Sequence, residues 1–391
     1  MVQSLGVKLP FAISKERFGG LLLITCCLLA FAWATLHLPS YTAFKHFPLT
    51  ESVTWQLFVN DALMVLFFLM VGLELSNEAK SGAFRTLRAI LLPFASACMG
   101  FLCPAVIYLF LVGGVASPLA NGWAIVTATD IALALGLLSL CSRVPVSLKM
   151  FLLAVAIFDD VLAIITIALF YTATVEMAYV GLSLLMTTLI FVLSYRQVKS
   201  ALLYVMLGAG LWFALLQAGI HPVLAGVVIG IALSQSGCAI DHKTESILQW
   251  AVTLLVLPLF AISNAGVSLS DAFSAVGFIE PIAIYVAIAM LVGKPLGVFG
   301  TVWLGVKFKL FELPEATNML MVFAMSIFCS IGLTLSLFIG ELSDLESGHY
   351  KLGIVLAALI ASLLGLVIMS IATRQRKEVI NTGVINKKGE N

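Results

Sequence analysis

The sequence predicts an all-α polytopic membrane protein with twelve transmembrane helices, and three observations predict it. Hydrophobic residues make up 61% of the 391-residue chain and charged ones only 10%, with a mean hydropathy of +1.12. A water-facing surface needs far more charge than that. The apolar residues fall in continuous runs of helix-spanning length rather than in ten-residue alternations, which excludes a transmembrane β-barrel. The basic residues crowd into alternate connections, the pattern of a chain oriented across a bilayer. The formal net charge of +1 carries no information about partners, because position and not total decides what the charges do.

In order, the apolar runs lie at about 18–36, 58–76, 89–112, 122–140, 150–172, 178–195, 201–217, 221–236, 248–267, 281–304, 319–340 and 350–372. The first follows Lys8, Lys15 and Arg17. It is too long for a signal peptide and lacks a small-residue cleavage site, so it reads as an uncleaved span. The connection at 37–57, with His37, Pro39, His46 and Pro48, reads equally as a hairpin or as a solvated loop. Span two runs from Asn60 and Asp61 near one face to Glu74 and Glu78 near the other. Trp55, Trp123 and Trp250 at segment starts, and Trp33 and Trp303 near ends, suit interfacial anchors.

Two spans are irregular. Span four contains Thr127-Ala128-Thr129-Asp130, and span eleven contains Ser326-Ile327-Phe328-Cys329-Ser330-Ile331-Gly332-Leu333-Thr334. Poor helix formers at mid-membrane in both predict broken helices. Each is the middle member of a three-span group, 3–5 and 10–12, and the two groups enter from opposite sides. That predicts an inverted-topology repeat with its site at the crossing. Span eight opens at His221-Pro222, and Asp241, His242, Lys243 and Glu245 precede span nine as a mixed-charge loop. An even span count puts both termini on one side. With that side cytoplasmic, 18 of the 21 basic residues lie inside, Lys294 lies within a span, and only Lys45 and Lys351 fall outside. The chain is one transporter domain: a cytoplasmic N-terminus at 1–17, a bundle at 18–372 and a basic cytoplasmic tail without a fold of its own at 373–391.

Residues Ala154 to Ile165 hold the chemistry. Asp159 and Asp160 sit ten residues into span five from Lys149, roughly 15 Å at 1.5 Å per residue, half of a hydrocarbon core. A charge there costs several kcal/mol or more unless something neutralises it. Lys294 on span ten and Asp130 on span four are the other intramembrane charges. Asp130, opening a half-helix, suits the positive end of a helix dipole, and Lys294 suits a negative end. Adjacent residues project about 100° apart, so Asp159 and Asp160 share one cavity only if it is broad. Two carboxylates, the Thr129 hydroxyl and unwound carbonyls can ligate Na⁺, a metal ion taken as cargo and not as a cofactor. Protons compete for the same oxygens, and that competition is exchange when the site opens to one side at a time. Asp61 reads as lining an outer vestibule, Glu74 and Glu78 as drawing cations to an inner funnel, and His221 as a proton-sensing or helix-start residue. The seven cysteines form no CxxC or Cys/His set, so neither a disulfide scaffold nor zinc is indicated. No nucleotide-binding loop, cofactor motif or nucleic-acid signature occurs. The competing readings are a passive cation channel and an intramembrane aspartyl protease. A protease places its two acids on facing helices, whereas these are adjacent on one.

These residues resemble the NhaA-type bacterial sodium/proton antiporters, a known example of inverted-repeat transporters with broken helices. The matching stretches are Asn60-Asp61-Ala62-Leu63-Met64, Val71-Gly72-Leu73-Glu74, Gly122-Trp123-Ala124-Ile125, Ala128-Thr129-Asp130-Ile131-Ala132, Ala156-Ile157 with Asp159-Asp160, Leu224-Ala225-Gly226, Asn264-Ala265-Gly266-Val267 and Gly293-Lys294-Pro295-Leu296-Gly297. The resemblance implies a twelve-span inner-membrane exchanger expelling Na⁺ or Li⁺ against inward proton flow. It would be electrogenic, activated at alkaline pH and often dimeric through the 37–57 loop. It places ion and proton carriers on Asp159 and Asp160, dipole compensators on Asp130 and Lys294 with Thr129 at the break, and the pH response near Glu74, Glu78, Glu245 and His221. Ser76 and Asn77 stand where the family commonly has basic residues, and Ser246 and Gln249 where it has histidines. These departures imply a differently set pH response.

Overall fold

A computed structural model describes residues 15–51, 53–81, 87–141, 143–172, 175–236, 242–268, 280–343, 345 and 348–388. Among them the structure is helical apart from one isolated antiparallel bridge between Pro48 and Thr54. The helices are α1 (Lys15–Leu36), α2 (Leu38–Lys45), α3 (Trp55–Phe58), α4 (Met64–Ser81), α5 (Leu87–Leu111), α6 (Ile131–Leu138), α7 (Val146–Phe170), α8 (Met177–Tyr195), α9 (Ala201–Gln217), α10 (Leu224–Gln235), α11 (His242–Ala251), α12 (Leu257–Asn264), α13 (Pro281–Lys307), α14 (Met319–Phe328), α15 (Leu333–Leu342) and α16 (Tyr350–Lys388). A π-helical turn, Val59–Leu63, joins α3 to α4, and a second, Val252–Val256, joins α11 to α12. A 3₁₀ helix, Ala120–Thr127, precedes α6.

Each of the twelve apolar runs coincides with a helical element. Nine segments among the described residues are long and apolar enough to cross a membrane, α14 and α15 form a pair bent by 43°, and α9 and α10 are shorter apolar helices. The outward side chains are apolar as well: Phe110 on α5 is 83% exposed and Leu169 on α7 is 70% exposed. Such a surface suits lipid, since no hydrophobic force drives lipid-facing side chains inward.

Close backbone packing sets the position of the buried lysine. Helices α5 and α13 pack together along their length. A Cβ at Gly293 would lie 2.4 Å from Pro104 Cα, and one at Gly297 would lie 2.2 Å from the Met99 carbonyl oxygen. The two glycines flanking Lys294 therefore let α13 press onto α5, as small residues do at membrane helix interfaces.

The chain leaves regular α-helix at both of the places singled out in spans four and eleven. The chain is extended at 128–130 between the 3₁₀ helix and α6, and non-helical between α14 and α15. The two breaks touch. The Asp130 N–H donates to the Ile331 carbonyl at 2.6 Å, and a Cβ on Gly332 would lie 2.4 Å from the Ala128 carbonyl oxygen. Backbone groups freed in an apolar interior need partners, and here each break supplies the other's.

Two segments differ from the readings above. At 37–57 the chain forms α2, its first turn holding Pro39 and its Ser40 N–H donating to the His37 ring at 3.1 Å, followed by the single bridge. A proline at a helix start has no hydrogen bond to lose, and the cap is a histidine in place of the usual Ser, Thr, Asp or Asn. At the other end α16 continues to Lys388. A span already formed supplies the nucleus, and the tail holds no proline to stop propagation. Lys8, Arg85, Cys238 and Asp241 fall outside the described residues.

Candidate ion site at the crossed helices

Asp130 caps α6. Its Oδ1 accepts from the Leu133 N–H at 3.1 Å and its Oδ2 from the Thr334 hydroxyl at 3.0 Å. The carboxylate thus sits at the N-terminal end of α6 and ties it to α15. Next to it the Thr129 hydroxyl lies 2.7 Å from Asp159 Oδ2 and 2.9 Å from the Cys329 carbonyl oxygen, so its one proton has two acceptors.

Lys294 is fully buried. Its Nζ donates to Asp159 Oδ2 at 2.6 Å and to the Thr129 hydroxyl at 2.9 Å. Asp159 is fully buried too, so α7 and α13 are joined by an ion pair shielded from water, with the break of span four as its third member. Removing either partner of such a pair strands a charge in a low dielectric.

Asp160 faces elsewhere. It lines a cavity of about 380 Å³ that also reaches Thr129, Asp130 and Thr334, whereas Asp159 does not line it. The two acids therefore do not share one cavity: the 100° between them points one at the cavity and the other at Lys294. Asp159 Oδ1 and Asp160 Oδ1 are buried and have no hydrogen-bond partner among the described residues. An unsatisfied carboxylate oxygen on the cavity-lining Asp160 is costly to maintain unless a proton or cation is received there.

At its other end the cavity is lined by Glu74, Glu78 and Glu245, and no Lys, Arg or His lines it among the described residues. Asn77 donates to Glu245 at 3.4 Å and accepts from the Ser234 hydroxyl at 2.8 Å, so an amide holds that glutamate where the resemblance led us to expect a basic residue. Such a mouth concentrates cations. Asp61 and His221 lie apart from the cavity, 3.6 Å from one another. Asp61 is carried by the Val59–Leu63 π turn, whose own carbonyl at Asp61 accepts from Trp212 at 2.8 Å.

Several residues were missed by the sequence reading. Phe338 on α15, one turn beyond Thr334, is fully buried with its ring 5.6 Å from Phe68, 6.2 Å from Phe260 and 5.0 Å from His221. Its ring is edge-on to His221 and does not line the cavity. Beyond it Gln56 donates to Glu341 at 2.8 Å and to Asn264 at 3.0 Å, while Asn264 donates to Asn60 at 2.8 Å. The only sequence signal for this relay is amides and an acid near span ends, which is common in solvated helix ends. Among the described residues no group of three His, Cys, Asp or Glu side chains is arranged to hold a metal ion.

The family model described as Na⁺/H⁺ antiporter 1 matches residues 11–369. The chain belongs to that family. Similar members include the Na⁺/H⁺ antiporter NhaA of Proteus mirabilis, 39% identical over 91% of this chain and 94% of the relative. That of Vibrio campbellii is 39% identical over 90% and 93%, and that of Vibrio cholerae serotype O1 is 38% identical over 93% and 97%. In this Na⁺/H⁺ antiporter 1 member Thr129 touches the buried Asp159–Lys294 pair and lines the same cavity that Asp160 faces. The family is one of secondary transporters, and the chain is accordingly not an enzyme.

Proposed function

We propose that this chain is an electrogenic, pH-regulated antiporter that exports Na⁺ or Li⁺ in exchange for protons by alternating access. The supporting observation is Asp160: a carboxylate at mid-span, at the end of an acid-lined cavity, with a buried oxygen left without a partner. In the cation-loaded form Asp160, Asp159, the Thr129 hydroxyl and carbonyls at the break supply hard oxygens to the ion, which takes the place of the Lys294 ammonium on Asp159. Displaced from Asp159, Lys294 gives up its proton; when the ion leaves, Lys294 takes up a proton again and returns to Asp159 as an ammonium, and a second proton settles on Asp160. Because two separate groups can take up protons for one monovalent ion, exchange moves net charge. Twelve spans, an inverted repeat of spans 3–5 and 10–12, a bacterial inner-membrane location with cytoplasmic termini, and pairing of copies through 37–57 belong to the same proposal.

A channel would need a path past Phe338, and the cavity stops short of that ring cluster. The test uses proteoliposomes with an acid lumen and a trapped pH dye. External NaCl should alkalinise the lumen and choline chloride should not. Alkalinisation of equal size with Asp160→Asn would remove Asp160 from the mechanism, and Na⁺ entry without any lumen pH change would make the protein a channel.

A further inference from the structure

Only two basic residues fall outside in the sequence-based orientation, and the fold brings them together. Lys45, at the end of α2, and Lys351, in the first turn of α16, line one cavity of about 230 Å³ with His46, His349, Thr42 and Ser268. It lies at the end of the bundle where α1 leads into α2 and α16 begins, away from the Glu74–Glu78 mouth. Among the described residues no carboxylate lines it. Glu341 lies behind the wall, where it accepts from Lys351 on Oε1 and from Gln56 on Oε2 at 2.8 Å. One carboxylate therefore stands beside two ammonium groups. His349 carries a buried Nδ1 with no hydrogen-bond partner among the described residues.

We infer that this cavity binds a phosphate-type anion, either the headgroup of an anionic lipid or free phosphate. Converging ammonium groups and imidazoles, with hydroxyls between them, match the charge and the several acceptor oxygens of a phosphate. A water takes up about 30 Å³ of liquid, so the cavity has room for a group of several oxygens. The surrounding surface is apolar: Leu36 is 85% exposed, Phe47 59% and Leu38 37%. Acyl chains could lie against it while their phosphate occupies the cavity. The charge balance points the same way. Burial, and then the nearby Lys351, push the Lys45 ammonium down to about 8, partly offset by Glu341. The Tyr41 hydroxyl, on the same wall, is already engaged by the Gly266 N–H at 3.0 Å and the Ile262 carbonyl at 2.9 Å. An anion would relieve the crowding between the two ammonium groups, and its occupancy should fall as pH rises through about 8.

The experiment is calorimetric titration of the purified full-length protein with three probes: inorganic phosphate, dihexanoyl phosphatidylglycerol, and dihexanoyl phosphatidylcholine as the zwitterionic control. The expected result is saturable binding of phosphate or phosphatidylglycerol, but not of phosphatidylcholine. Binding should weaken about tenfold in Lys45→Gln, the loss of one charge-assisted contact, and stay near wild type in Lys45→Arg. Binding of phosphate identifies a soluble anion, and binding of phosphatidylglycerol alone identifies a lipid headgroup. Absence of saturable binding by either, or equal binding by Lys45→Gln of unchanged melting temperature, overturns the inference. Neither result bears on ion exchange at Asp160.

Discussion

Asp159 and Asp160 show where residue-level reasoning from sequence stops. Their depth, their need for a counter-charge and the involvement of Thr129 and Lys294 follow from spacing along two apolar runs. Which acid takes Lys294 does not, because it depends on how α13 is rotated against α7, and that rotation is set by contacts of Gly293 and Gly297 with α5. Asp130 was legible because a helix cap is a local property. The division of roles predicts two different variants. Asp160→Asn should fold normally and lose sodium-dependent proton movement; a melting curve beside the liposome assay checks both. Lys294→Ala should be destabilised by about 3–5 kcal/mol, since it strands Asp159 in the interior. Adding Asp159→Asn should recover much of that loss, and a double variant as unstable as the single one would show that the pair is not the source.

Among the elements, both interruptions were visible as glycine, hydroxyl and acid residues in mid-span. That they cross was expected from the inverted repeat; which backbone groups meet was not visible, because the Asp130 to Ile331 bond joins residues about two hundred apart in sequence. Gly332→Val tests the contact: its Cβ would meet the Ala128 carbonyl at 2.4 Å, so the crossing must shift. Loss of transport with lowered thermal stability is the expected outcome. Retained exchange would mean that the breaks need not touch. Phe338 belongs to this scale as well, since α15 carries Thr334 at the cavity, Phe338 at the ring cluster and Glu341 beyond it. Phe338→Ala should leave sodium binding intact and add a leak, seen as collapse of an imposed pH gradient without sodium. The helix α2 was not legible: eight residues with a histidine cap carry too weak a pattern to separate from a loop.

At the scale of the molecule, hydropathy and the basic-residue bias reach the fold class and the order of the spans, because a bilayer constrains both strongly. They do not reach the packing of Phe338 against Phe68, Phe260 and His221 or the convergence of Lys45 with Lys351, which are products of packing between distant helices. Orientation is checked on whole cells with single-cysteine variants at the exposed Glu51 and at Arg374: a membrane-impermeant thiol reagent should label the first and not the second. The central claim is that a cation and protons compete for carboxylates in the membrane interior. It is tested most directly by sodium-binding calorimetry in buffers of different ionisation enthalpy, which counts protons released per ion bound. The account predicts release of protons on sodium binding that disappears, together with binding, in Asp160→Asn. Sodium binding with no proton released, or binding undiminished in that variant, would contradict it.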